Sequence, residues 1–168
     1  MPEGSAEIAL DHSFDAPLDR VVAMYADPEF SRRRGLSVGA SECEAFVDGG
    51  PDDAFTVSIR RILPTDGLQP EFKPFVGSSI TVRYSEAWEP PEGADRVATF
   101  AVDIMGVPAR ATGSLCLISQ GESTALSIKG SVTTHVPFLA GLVTKAIMDS
   151  LHDAISKEIE AADSWLGA

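Results

Sequence analysis

Apolar residues recur along this chain with two different spacings, and the change from one to the other divides it into segments. Ala6 to Phe14 reads as a first strand, with Ile8, Leu10, His12 and Phe14 sharing one phase. Asp15-Ala16-Pro17 then opens a helix. Asp15 is expected to accept a bond from a free N–H, and Pro17 loses nothing in a first turn. Leu18, Val21, Val22 and Tyr25 follow at helical spacing. Asp27-Pro28 starts a second short helix in the same way, ending near Gly35 after Arg32, Arg33 and Arg34, whose charge suits a helix C-terminus.

Six extended segments come next: Ser37–Val47, Ala54–Leu63, Ser79–Glu89, Arg96–Met105, Ala109–Ser119 and Ser123–His135. Short turn sequences separate most of them, so sequence neighbours should pair antiparallel. The exception is Pro64 to Gly77, which holds three prolines with Phe72 and Phe75. It is either a lid over a cavity mouth or a loop that plugs the core. The last segment, Pro137 to Leu166, has an unbroken apolar stripe through Leu142, Val143, Ile147, Leu151, Ile155, Ile159 and Trp165. That stripe predicts one helix roughly 45 Å long. Lys145–Asp149 and Asp153–Lys157 lie four apart off the stripe and can pair.

The order is therefore strand, two short helices, six strands and one long helix, an α+β arrangement with a seven-stranded antiparallel sheet. Strand phases give that sheet a wet and a dry face. Ala98, Phe100, Val102 and Ile104 oppose Thr99 and Asp103, and Leu126, Ile128, Val132 and Val136 oppose Ser127, Lys129, Ser131 and Thr133. Seven strands span roughly 30 Å, whereas a helix is only about 10–12 Å across. The sheet must curve around its helix, and side chains or open space must fill what remains. Ala98, Ala109, Ala111, Gly113 and Gly130 fill little beside Tyr84, Trp88 and Phe100. This mixture is either interdigitation or the lining of a ligand cavity.

Length and charge narrow the class. One domain over residues 1–168 is expected, large enough to fold without a metal or disulfide staple. The formal charge is 13 − 25 = −12, which repels nucleic acid and anionic bilayers. Neither nucleic-acid binding nor stable membrane association is expected. Cys43 and Cys116 lie far apart without neighbouring histidines, so they read as free thiols in a reducing cytoplasm and no metal site is expected. Met1 to Leu10 has two glutamates and no basic residue, unlike a secretory signal. Glycine-rich nucleotide loops, HExxH and G-x-S-x-G are all missing, and no cofactor is expected.

The candidate chemistry rests on residues that break the apolar phase. Glu86 shares phase with Ile80, Val82, Tyr84 and Trp88. A carboxylate there is a desolvated base or an anchor for a ligand's polar end, a structural partner of an arginine, or turned outward by a bulge. Arg61 falls in phase with Phe55, Val57, Ile59 and Leu63 near a strand end, and is expected to snorkel to water. His12 reads as a core histidine with one hydrogen bond, and His135 as a solvated one. Asp103 and Arg110 should form a surface pair across the turn at Gly106-Val107-Pro108.

The opening Phe14-Asp15-Ala16-Pro17-Leu18-Asp19-Arg20-Val21-Val22, followed by Asp27-Pro28-Glu29-Phe30, resembles the start of the START-like (SRPBCC) superfamily of pollen-allergen, lipid-transfer and polyketide-cyclase proteins. Phe75-Val76-Gly77, Glu86-Ala87-Trp88 and Val136-Pro137 are similar to an actinobacterial branch of it. The resemblance implies a helix-grip fold: a curved seven-stranded antiparallel sheet wrapped around the C-terminal helix, with an apolar cavity between. It transfers no catalytic signature. The expected function is binding of a small hydrophobic molecule, such as a lipid or polyketide-like compound, by Tyr84, Glu86, Trp88, Phe100, Leu115, Leu142, Val143 and Ile147. Two alternatives stand beside it: a cyclase or dehydratase with Glu86 as general base, and a closed-core interaction domain without ligand.

Overall fold

A computed structural model of the chain describes residues 5–66, 77–135 and 140–167. The elements are β1 (Ser5–Phe14), α1 (Leu18–Tyr25), α2 (Pro28–Ser37), β2 (Glu42–Gly49), β3 (Phe55–Pro64), β4 (Ser79–Trp88), β5 (Asp95–Ile104), β6 (Ala109–Gln120), β7 (Ser123–Thr134) and α3 (Ala140–Gly167). The strands form one antiparallel sheet in the order β1-β7-β6-β5-β4-β3-β2. From β2 to β7 each strand pairs with the next in sequence. β1 closes the far edge against β7, so α1 and α2 carry the chain from one edge to the other. The β6–β7 hairpin turns through Gly121 at φ 81°, a left-handed conformation that glycine adopts without strain. The expected lid segment falls largely on residues 67–76, and Val136, Pro137 and Leu139 on 136–139, outside the described residues.

The dry face of the sheet is the one its strand phases predict. Ile8, Phe14, Phe55, Val57, Ile59, Ala98, Val102, Leu117, Leu126 and Val132 are buried there. Three expectations at the first helices need correction. Asp15 does not cap α1: Pro17 takes the N-cap with no side-chain bond, its carbonyl receiving Arg20 N–H and Val21 N–H. Asp15 stands two residues too early. The second helix does have its side-chain cap, Asp27 accepting from Glu29 N–H at 2.9 Å. However, it runs past Gly35 to Ser37, so β2 begins at Glu42 and not at Ser37. Gly35 does not stop the helix but lets it press on β2, since a Cβ there would collide with Cys43 Sγ. The chain turns instead at Gly39, φ 83°.

The long helix is held unevenly. At its C-terminal end Ala162 and Leu166 are buried, Arg20 donates to the Leu166 carbonyl at 2.8 Å, and Trp165 packs against Phe30 with Arg33 over its ring. From Gly141 to Ser150, buried side chains are confined to Val143 and Thr144. Thr144 shares a 2.6 Å hydrogen bond with Thr134 of β7. The predicted Lys145–Asp149 and Asp153–Lys157 pairs form on the outer face, each at 2.9 Å.

Two of the small inward residues do not leave space. Gly113 and Gly130 face each other across β6 and β7, and the ring of Phe100 lies over both. A Cβ at Gly113 would stand 2.8 Å from Phe100 Cε1, and one at Gly130 2.9 Å from Phe100 Cζ. At this spot the mixture of large and small is interdigitation. Gly113→Ala should therefore lower the unfolding free energy by about 1–3 kcal/mol through overpacking. Gly50→Ala, with open space around the new methyl, serves as the control. Urea midpoints read both, and equal midpoints would show that the strands part freely.

Candidate functional site

Beside Phe100 the interior is open. A cavity of about 60 Å³ lies between the sheet, α1, α2 and the middle of α3. Ile8, Phe100, Val102, Leu115, Leu126 and Ile128 supply the sheet wall, Phe30 belongs to α2, and Leu151, Ala154, Ile155 and Ile159 come from α3. The remaining lining is polar: Tyr25, Arg34, Arg61, Tyr84, Glu86 and Glu158.

Those polar residues form two ion pairs. Glu86 points inward from β4 and is buried; no bulge turns it out. Its Oε2 accepts from Arg34 Nη2 and from the Tyr84 hydroxyl, and its Oε1 accepts from Trp88 Nε1 at 2.9 Å. Arg34 comes from α2, where it shares a helical face with Phe30, and only 3% of it is exposed. The guanidinium sits among aromatic rings, 5.3 Å from the centre of Tyr25, 5.8 Å from Phe30 and 5.1 Å from Tyr84. Such packing favours a desolvated cation. Arg61 of β3 donates to Glu158 of α3 at 3.0 Å and lies 5.9 Å from the Tyr84 ring. It does not snorkel: the helix supplies the half-buried Glu158 carboxylate within reach, and the guanidinium stays inside.

Electrostatics tie the tyrosines to the same cluster. Burial pushes both hydroxyls well above the usual phenol range. For Tyr84 the Glu86 charge adds to burial; for Tyr25 the nearby Arg34 cation opposes it without cancelling it. Burial alone would lower Arg34, but Glu86, with Tyr84 and Glu158, more than offsets it and keeps the guanidinium charged.

Of the residues singled out in the sequence, Tyr84, Glu86, Phe100 and Leu115 line this cavity. Trp88 stands behind it, stacked on Phe55 at 5.6 Å while its N–H supports Glu86. Val143 and Ile147 lie on the inner face of α3, but closer to its start than the lining residues Leu151 and Ile155. Leu142 is 60% exposed, because one residue's rotation from Val143 turns it to the outer face. Arg34 was expected to serve a helix end; the structure puts it at the centre. Tyr25 lies on the apolar face expected of the first helix, whereas Arg34 and Glu158 are lining residues that the apolar phases did not nominate. The signal for Arg34 was its four-residue spacing from Phe30.

Outside the cluster, His12 is half-buried, with its Nε2 3.0 Å from Asp163 and its ring edge-on to Phe14. Arg110 and Asp103 form the expected surface pair at 3.6 Å. Among the described residues, no group of three or more His, Cys, Asp or Glu is placed to hold a metal, and no helix is long and apolar enough to cross a membrane.

Burial of the cluster generates two predictions. Glu86→Ala leaves Arg34 enclosed without an anion and should cost about 3–5 kcal/mol of stability. The double variant Arg34→Met, Glu86→Leu should recover most of that loss in the same denaturant titration; a double variant as unstable as the single would mean that packing, not charge, sets the cost. The second uses the fact that Tyr25 and Tyr84 are the chain's two tyrosines. Their folded pKa values lie above the ordinary value of 10.0, so the folded state keeps protons that the unfolded chain releases. Stability is then full below about pH 10 and falls as pH rises above it. Phenolate absorbance should appear only as the protein unfolds; ionisation near pH 10 with the fold intact would contradict the buried placement.

Comparison with known proteins places this geometry. The structure is similar to that of TTHA0849 from Thermus thermophilus, with a TM-score of 0.64 at 14% identity over 95% of each chain. It is similar to a START superfamily protein from Mycobacterium smegmatis, with a TM-score of 0.56 at 12% identity over 96% of this chain and 97% of the other. Ginseng major latex-like protein 151 from Panax ginseng gives 0.55 at 9% identity, over 97% and 98%. At these identities the likeness concerns the fold, which is the START-like helix grip. No curated protein matches the chain. Residues 9–166 match a family described as protein of unknown function (DUF2505), and the chain belongs to that family.

Proposed function

We propose that the protein binds a small, mainly apolar molecule in the space between the sheet and α3. The observation that supports this most directly is the cavity: aliphatic and aromatic side chains from β1, β4–β7, α2 and α3 surround it, and a compact polar cluster occupies one wall. An apolar enclosure with a few convergent polar groups is the usual form of a small-molecule site. The START-like fold is in keeping with such use, and the reading extends to a lipid or polyketide-like compound held in the cytoplasm.

Volume sets the terms. At about 60 Å³ the cavity is large enough to admit water, which needs only roughly 10–15 Å³. Ligand sites for larger compounds run to about 300–1,000 Å³. A ligand of that size needs α3 to move, and the uneven fastening of the helix supplies the direction: the lightly packed first half lifts while the C-terminal turns stay docked. Glu86 does not act as a free base in this reading. Both of its oxygens already accept hydrogen bonds, one of them from a guanidinium, so its part is to hold Arg34 and Tyr84 in place.

Native mass spectrometry of the protein from its own host should show an added small-molecule mass that organic solvent removes. Ala154→Phe, which fills the cavity from α3, should abolish that adduct and leave the fold intact by circular dichroism. A bare mass, together with no uptake of apolar probes, would favour the closed-core interaction domain instead.

A further inference from the structure

The cavity's polar wall has more donors than acceptors. Glu86 takes three hydrogen bonds and Glu158 takes one. On the donor side, among the described residues, Arg34 spends a single bond, on Glu86, and its Nε is buried with no partner. The Tyr25 hydroxyl makes no hydrogen bond among the described residues, although Tyr25 is only 7% exposed and lines the cavity. A buried donor left unpaired costs about 1–3 kcal/mol, which applies to Arg34 Nε, while the Tyr25 hydroxyl opens on the cavity, where an acceptor from outside the chain can reach it.

Charge decides which kind of acceptor. Arg34 and Arg61 are balanced by Glu86 and Glu158, so the wall is already neutral as a whole. A carboxylate entering this enclosure would bring an uncompensated charge beside two glutamates. An ammonium would meet two arginines and could not accept from Tyr25. An uncharged oxygen meets neither penalty and satisfies the open donor. We propose that the ligand is an uncharged apolar molecule with a carbonyl or ether-type oxygen, and that the Tyr25 hydroxyl donates to that oxygen while the Arg34–Glu86–Tyr84 cluster holds Tyr25's surroundings fixed. This rests on the binding function proposed above and deepens it, by naming the head group.

Tyr25 suits the part because its hydroxyl has no other duty in the described structure. Its ring contributes the packing, T-shaped to Phe30 at 5.9 Å and tilted to Trp88 at 5.1 Å, and Phe at this position keeps those contacts.

Four one-ring probes of nearly equal size test the idea by calorimetry at neutral pH: acetophenone, ethylbenzene, benzoate and benzylamine. Acetophenone should bind about tenfold more tightly than ethylbenzene, the worth of one well-formed hydrogen bond. Benzoate and benzylamine should bind more weakly than either. Tyr25→Phe should bring acetophenone to within about twofold of ethylbenzene, leave ethylbenzene itself unchanged, and keep the thermal midpoint of the wild type. Equal affinity for ethylbenzene and acetophenone in the wild type overturns the head-group assignment and leaves the apolar site standing, as does tightest binding of benzoate. A preference for acetophenone that survives Tyr25→Phe overturns the role of Tyr25. Failure of all four probes to bind overturns the binding function itself, and the head group with it.

Discussion

Two cations and one anion, Arg34, Arg61 and Glu86, are buried between the sheet and the helices, a second anion, Glu158, is half-buried beside them, and the surrounding structure is arranged to keep each beside its partner. An isolated charge in such a place would cost several kcal/mol, far more than a typical core contact returns. Arg34 meets Glu86 from α2 to β4, and Arg61 meets Glu158 from β3 to α3. Each pair therefore fixes the seat of one helix on the sheet. The Arg34 pair needs α2 at close range, which is why Gly35, next in sequence, faces Cys43 with no room for a methyl group. Aromatic rings on three sides then replace part of the hydration that the guanidinium gave up.

A buried ion pair is weak evidence for stability, because apolar residues of the same volume often do as well or better. Here that weakness argues for function. The apolar alternative would be available at positions 34, 61, 86 and 158: Arg61 and Glu158 have aliphatic neighbours on their own elements, Glu86 lies between Tyr84 and Trp88 on its strand face, and Arg34 lies one turn from Phe30. Retaining charge at all four, around one cavity, makes a wall whose dipoles are already oriented before any ligand arrives. Such a wall need not reorganise when a polar group approaches, and the cost of binding falls accordingly.

Much of this was legible in the sequence, for a reason that also explains what was not. Period-two alternation and one long helical stripe reported which side of each element is dry, and the sheet buries those sides. Glu86 and Arg61 were visible as charges in an apolar phase. Their partners were harder to see. Strand alternation is sharp, so one misplaced charge stands out; a helix stripe is broad, and Glu158 at its margin looks like any polar flank. Arg34 sat in a run of three arginines next to a glycine, a pattern that reads as a helix end. The pairing itself depends on how α2 crosses the sheet, and no local spacing contains that angle. The fate of the small residues was likewise beyond reach. Gly113 and Gly130 are filled by Phe100, whereas the actual opening lies next to them, beneath Leu151 and Ile155.

Helix position and electrostatics are linked through Glu158. The residue lies on α3 between the docked C-terminal turns and the lightly packed first half, so it sits close to the point about which the helix would swing. A small lift of the first turns widens the cavity near Leu151 and leaves Glu158 within reach of Arg61. A large lift carries Glu158 away and strands Arg61 beside the Tyr84 ring. The first motion costs some apolar contact; the second costs a buried charge its partner. In the binding function proposed above, the ion pair would set a graded limit on how far the grip opens, and with it an upper size for the ligand.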